Sequence, residues 1–268
     1  MGCGHAARVP TWSAAWHEAL YGLDGFYVVG RGAGSDFRTP ATADPMGLAR
    51  SLLVHAPRPT AIVDVGAGRG QLLGAFAALL PDDVPLLGVD VGPRPEGLRD
   101  RVAWQAEIPD DLDGLVVAVE LLDVVPCDVV ADGRVVLVDE TGAESLGEEP
   151  EAADAAWLDV WWPSWRAGER AEIGRPRDEL WADVTRRLRP GAVAVMIDYG
   201  HIREARPEGG TLTGFRDGRQ VVPAPDGSMD LTAHVALDSV AAAGGGVLAA
   251  SPLAGWPQQR QIVLDTRA

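Results

Sequence analysis

Lysine and asparagine are absent from the 268 residues, and all 23 basic side chains are arginine. Without lysine the chain has no Schiff-base nucleophile, and a phosphate-cradling P-loop, which needs its lysine, is excluded. Without asparagine there is no asparagine-based acceptor motif. Cysteine is limited to Cys3 and Cys127, so there is no CxxC pair and no disulfide framework, as expected of a protein in a reducing cytoplasm. No apolar run approaches the roughly 18 residues that span a bilayer, and residues 1–16 hold no apolar signal-peptide core. The expectation is a cytoplasmic chain without membrane insertion. His5, His17, His55, His201 and His234 show no HExxH or other ligand spacing, so no metal site is expected. No G-x-S-x-G elbow supports a Ser-His-Asp triad.

What is present is a hydrophobic content of 47% and a net charge of −16. The first suffices for one large α/β domain with its own core. The second argues against a nucleic-acid partner. An acidic surface suits a basic protein substrate, although such surfaces more commonly serve solubility. Nothing in the sequence sets the oligomeric state.

The pattern along the chain changes twice. Residues 12–54 have mixed periodicity, with a helix-like stretch at 12–21 and a glycine-rich passage at 25–34. Regular alternation then begins: an apolar run at 61–65, a helix-like stretch at 71–80, and apolar runs at 86–89, 102–106 and 115–119. Near-continuous apolar runs separated by helices are the mark of parallel strands buried on both faces. The predicted fold class is therefore α/β, a doubly wound, mostly parallel sheet. An interruption follows. Residues 128–139 read as a hairpin turning at Ala131-Asp132-Gly133, residues 140–154 as a solvated acidic loop, and Trp157, Trp161, Trp162 and Trp165 as a helical cluster packed beneath it. The α/β pattern resumes with a helix at 177–188 and a strand at 192–197. After a second hairpin come a helix near 237–243 and strands at 246–250 and 261–264. The domain reading is an N-terminal extension, 1–56, packing over a cofactor cleft, and a Rossmann-like domain, 57–268, with an insertion at about 127–176.

The strongest local signal is Asp64-Val65-Gly66-Ala67-Gly68-Arg69-Gly70 between a strand and a helix. Glycines let the backbone turn sharply and allow a ligand to approach without a Cβ in the way. A dinucleotide fingerprint would place its third small residue at position 71, which is Gln71. What remains is D-x-G-x-G-x-G, the pattern of class I S-adenosyl-L-methionine (SAM)-dependent methyltransferases. SAM offers a carboxylate to backbone N–H groups and a cationic amine and sulfonium to acidic side chains. Asp64 stands where such an acid belongs, and Asp90, ending the next strand 20 residues after Gly70, stands where a carboxylate accepts both ribose hydroxyls.

A third station is Glu120-Leu121-Leu122-Asp123-Val124-Val125-Pro126, leaving the 115–119 strand. Reactive groups in a doubly wound sheet collect at the carboxyl ends of its central strands. Two acids there could orient a guanidinium by paired hydrogen bonds and accept its proton. The equal alternative is that Glu120 caps a following helix and Asp123 is solvated.

With those residues in view, the chain resembles the MidA-like SAM-dependent methyltransferases, the family that includes the mitochondrial complex I assembly-factor methyltransferase. Ser35-Asp36-Phe37-Arg38-Thr39-Pro40 resembles the family's GDFxTxP segment, and the Asp64–Gly70 loop is similar to its ExGxGxG. Glu120 to Pro126 resembles NExxDxxP; Ile197-Asp198-Tyr199-Gly200, Gly210-Thr211-Leu212 and Asp230-Leu231-Thr232-Ala233-His234-Val235 complete the series. The resemblance implies a protein substrate, plausibly at arginine, since the mitochondrial member makes symmetric dimethylarginine. Glu120 and Asp123 become candidate catalytic residues. Asp36, Phe37, Asp198, Tyr199 and His234 become candidates for the acceptor cleft, with Thr39 closing over the cofactor. Val91, Gln105 and Ala106 join Asp64, Gly66, Ala67, Gly68, Gly70 and Asp90 as candidate cofactor contacts. Ser35 in place of the family's Gly and Val119 in place of its Asn are departures that bear on the substrate. A SAM-binding assembly protein with little catalysis and a small-molecule methyltransferase are the alternatives.

Overall fold

The computed structural model describes residues 9–29, 39–250, 253–255 and 259–266. Two short helices, α2 (Pro40–Ala43) and α3 (Pro45–Leu53), follow α1 (Trp12–Tyr21). Each of the pair opens on a capping residue followed by proline: Thr39 accepts from the Thr42 N–H, and Asp44 from the Gly47 N–H. Proline costs nothing at the first helical position because that N–H has no intrahelical partner. Thr39-Pro40 and Asp44-Pro45 are thus helix-start signals inside a stretch whose periodicity looked mixed.

Strands β1 (Ile62–Val65), β2 (Leu86–Val89), β3 (Val102–Gln105) and β4 (Leu115–Val119) come next, with α4 (Gln71–Leu79) after β1. β1 and β4 are buried along their whole length. Then follow the hairpin β5 (Val129–Ala131) and β6 (Arg134–Val138), β7 (Glu144–Leu146), α5 (Ala152–Trp161), β8 (Ala171–Glu172) and α6 (Arg175–Arg186). The chain continues through β9 (Val193–His201), β10 (Thr213–Arg216), β11 (Arg219–Val221), β12 (Asp230–Thr232), β13 (Val235–Ala236), α7 (Leu237–Gly244), β14 (Val247–Leu248) and β15 (Gln259–Asp265).

The main sheet runs β14-β15-β9-β4-β1-β2-β3, with β13 paired to β9. Neighbours from β3 to β9 are parallel, and β15 returns antiparallel to β9. One face of the sheet packs on α3 and α4 through Leu52, Leu73 and Phe76; the other packs on α6 and α7 through Trp181, Val184 and Val240. This is the predicted doubly wound α/β architecture. Its strand order reverses between β1 and β4, so a crevice opens outside their carboxyl ends.

Two smaller sheets flank that crevice. One is β7-β6-β5-β8 and the other β11-β10-β12. Asp132 and Gly133 turn the β5–β6 hairpin with φ of 49° and 74°, the paired left-handed residues that match the twist of the strands. Residues 140–154 are not simply a solvated loop. They contain β7, whose register sets Val136 opposite Leu146, and they lead into α5. β7 exposes all three side chains, so backbone pairing at an edge forms it without help from side-chain burial. Helix α6 starts at Arg175 rather than 177, because Gly174 ends the preceding turn and Pro176 fits the first helical turn. β9 runs four residues past 197 because β13 pairs with Gly200 and His201. Trp157, Trp162 and Trp165 are buried against Val130, Ala171 and Ile173, with Trp161 at the margin. Among the described residues no helix is long and apolar enough to cross a membrane.

Candidate functional site

The turn after β1 is held open by backbone geometry. Gly66 has φ of 76°, and a Cβ there would come within 2.7 Å of Leu121 Cδ1. Gly68, with φ of 54°, differs: a Cβ on it would meet nothing within 4 Å. Left-handed φ explains glycine at both positions, and the empty space at Gly68 is a cradle that a ligand can fill. Asp64, on β1, is buried, and among the described residues nothing hydrogen-bonds its carboxylate. Burial, with Asp90 adding repulsion, pushes its pKa up to about 7. Asp90, just beyond β2, receives the Gly68 N–H on Oδ2 and the Gly92 N–H on Oδ1, each at 2.8 Å. Burial raises its pKa against the pull of those two donors. Val91, Gln105 and Ala106 lie exposed beside it at the ends of β2 and β3.

The second turn leaves β4. Glu120 has φ of 52°, a left-handed conformation that costs a non-glycine residue about 1 kcal/mol or more. Its N–H donates to the Ile197 carbonyl at 2.8 Å. Its carboxyl group meets Gln259 Nε2 at 2.5 Å, with the Thr39 and Tyr199 side chains also acting on it. Burial first, then repulsion from Asp123, raises its pKa to about 9, with the Thr39, Gln259 and Tyr199 side chains opposing. Asp123 is 4% exposed, and its Oδ1 has no hydrogen-bond partner. Burial raises its pKa against the attraction of Arg177. Residues 121–126 contain no helix, so the capping alternative for Glu120 fails, and Asp123 is not solvated.

The turn is pinned from beneath. Asp198 is wholly buried on β9 and accepts from the Leu122 N–H at 2.8 Å and the Asp123 N–H at 3.4 Å. It therefore sits under the acid turn rather than along the open crevice. Arg177, 1% exposed, donates to the carbonyls of Asp123, Val125, Ala233 and His234. Tyr199 stacks on His234 with ring centroids 5.9 Å apart, and burial and Arg177 lower the His234 pKa, keeping the ring neutral. Tyr21 and Tyr27 stack at 5.6 Å. Tyr21 donates to the Val124 carbonyl and Tyr27 to Asp230. Asp36 and Phe37 lie outside the described residues.

A family model described as "Putative S-adenosyl-L-methionine-dependent methyltransferase" matches residues 77–253. The chain belongs to this family of SAM-dependent methyltransferases. Among solved structures it is similar to a COG1565 superfamily member from Burkholderia thailandensis bound to S-adenosyl-homocysteine. That match has 26% identity and a TM-score of 0.69, covering 89% of this chain and 73% of that one. A native COG1565 superfamily structure from the same organism matches at 27% identity and a TM-score of 0.68, covering 89% and 72%. No curated protein matches the chain. The methyltransferase is thus a class I, Rossmann-like enzyme whose cofactor is SAM. The family match includes Asp90 and the acid turn but begins after the glycine turn.

Sequence reasoning about the methyltransferase missed Arg177 and Gln259. Arg177 had a signal: it shares the buried face of α6 with Asp178, Trp181 and Val184, a polar pair at apolar spacing. Gln259 had none. A surface cavity of about 310 Å³ lined by Arg58, Thr60, Gly114 and Gly191 lies at the opposite, amino ends of β1, β4 and β9, away from these acids.

Proposed function

We propose that the methyltransferase transfers its methyl group to a guanidinium nitrogen on a protein, of the kind the MidA-like motifs imply. In this reading the cofactor lies in the crevice over Gly66, Ala67, Gly68 and Gly70. The Asp64 carboxylate, buried without a hydrogen bond, faces its ammonium group, and the Asp90 carboxylate takes its ribose hydroxyls. Val91, Gln105 and Ala106 border the adenine side, and Thr39 closes from the N-terminal side. The open space at Gly68 and the unmatched charge at Asp64 support the fit. SAM supplies an electrophilic methyl group there and leaves as S-adenosyl-L-homocysteine. Asp90→Ala removes two acceptor bonds to the ribose, each worth about 1 kcal/mol or more. It is expected to weaken SAM binding on the order of 10- to 100-fold by isothermal titration.

The observation that carries the acceptor assignment is the pair of acids on one turn, the half-buried Glu120 and the buried Asp123, one oxygen of Asp123 having no partner among the described residues. A guanidinium presents a planar fork of donors that two carboxylates can grip, fixing the nucleophilic nitrogen in line with the methyl group. Once its nitrogen is methylated, the same carboxylates accept the proton it sheds. Tyr199 and His234 form a flat wall beside that fork. The acidic surface of the chain suits a basic peptide segment.

The acids also fix a pH dependence. Glu120, with its pKa near 9, is mostly protonated at neutral pH, and only its ionised form pairs with a cation. Cation binding therefore strengthens as pH rises from 7 towards about 9 and weakens as pH falls. Titration of methylguanidinium chloride into protein loaded with S-adenosyl-L-homocysteine, at a series of pH values, measures this. A flat profile contradicts the assignment.

A further inference from the structure

We infer that Gln259, on the last strand, is a positioning residue for Glu120, its side-chain amide matching the carboxyl group in both of its protonation states. The inference rests on the reading of Glu120 as an acceptor-binding acid, and it adds a residue that no motif contains.

Gln259 is fully buried and opens β15, which pairs antiparallel with β9 so that Gln259 stands opposite Tyr199. The strand ladder fixes its backbone, and its side chain reaches Glu120 Oε1 at 2.5 Å. The neutral Thr39 and Tyr199 side chains also act on the Glu120 carboxyl. The charged groups that act on this site are Asp123, and Asp198 and Arg177 beneath the turn. Among the described residues no cationic group is bonded to Glu120, and its ionisation there depends on neutral donors.

A primary amide suits that task because it carries a donor and an acceptor on one carbon. Facing a carboxylate, it donates through Nε2; rotated by half a turn, it accepts the O–H of a carboxylic acid through Oε1. Gln259 Oε1 is buried and has no hydrogen-bond partner among the described residues, which leaves its acceptor available. When a cation arrives and Glu120 loses its proton, the amide can turn with it. A methionine at this position would keep the volume and lose both roles.

The test is a carboxyl-carbon NMR titration of protein labelled at glutamate, with the Glu120 resonance assigned from Glu120→Gln, and S-adenosyl-L-homocysteine bound throughout. Because the bond donated to the charged carboxylate is the stronger of the two, Gln259→Met is expected to move the Glu120 midpoint upward by about one pH unit, a tenfold rise in proton affinity, with S-adenosyl-L-homocysteine affinity unchanged. In the unsubstituted protein, the side-chain amide resonances of Gln259 are expected to shift with pH at the same midpoint as Glu120, a result that does not depend on the folding of a variant. An unmoved Glu120 midpoint in folded Gln259→Met, or Gln259 amide signals indifferent to Glu120, overturns the inference. Methylguanidinium binding to Glu120→Gln is read separately. If that variant binds the cation as well as the unsubstituted protein does, the acceptor assignment fails while the coupling of Gln259 to Glu120 still stands or falls on its own titration.

Discussion

Glu120→Gln is expected to lower methyl transfer on the order of 10²- to 10³-fold, the range for a carboxylate that handles a proton in the transition state, while SAM binding persists. The reasoning separates the two halves of the crevice. Cofactor contacts are assigned to the glycine turn and Asp90, at the ends of β1 and β2, whereas Glu120 stands at the end of β4. The amide keeps the size of the carboxyl group and still bonds Gln259, so the turn should retain its shape. What it loses is negative charge: it cannot pair with a guanidinium or take its proton. Transfer of label from methyl-tritiated SAM into the proteins of a strain lacking this enzyme measures the effect. Incorporation undiminished by the substitution would sink the acceptor assignment, and incorporation into small molecules rather than protein would favour the small-molecule alternative.

The second large effect is on stability. Arg177→Met should destabilise the protein by roughly 3–5 kcal/mol, the usual penalty for breaking a buried charged network from one side, and lower Tm by on the order of 10 °C. Arg177 is all but inaccessible and donates to four backbone carbonyls, on the acid turn at Asp123 and Val125 and on the β12–β13 link at Ala233 and His234. Removing the guanidinium takes a buried donor from the Val125, Ala233 and His234 carbonyls, while the Asp123 carbonyl keeps the Ala233 N–H. It also removes the positive charge that offsets the buried Asp123 and Asp198 carboxyl groups. Arg177→Lys should recover only part of the loss, since a single ammonium cannot reach carbonyls spread around a planar fork. Thermal unfolding followed by circular dichroism decides between this and a peripheral role; a Tm within a degree or two of the parent would contradict it.

The parallel strands were legible because runs such as Leu115–Val119 are apolar on both faces, which only a sheet covered on both sides tolerates. The glycine turn was legible because left-handed φ leaves few residues other than glycine. Other features were not. β7 has no side-chain burial to mark it, and its pairing depends on where β6 already runs. Thr39-Pro40 and Asp44-Pro45 carried helix-start chemistry but too few residues for a period to show.

Sequence by itself determined the alternation of strands and helices, the glycine turn with its flanking acids, and the positions of Glu120 and Asp123, because these follow from local periodicity and backbone geometry. Only tertiary structure decided that Asp123 is buried, that Asp198 holds the turn from below, and that Arg177 and Gln259 meet the acids from α6 and β15. Gln259 lies 139 residues from Glu120. A contact across that separation is set by strand order and register, and burial, which moves these carboxyl groups out of their ordinary range, exists only once the sheet, its helices and the flanking strands have packed together.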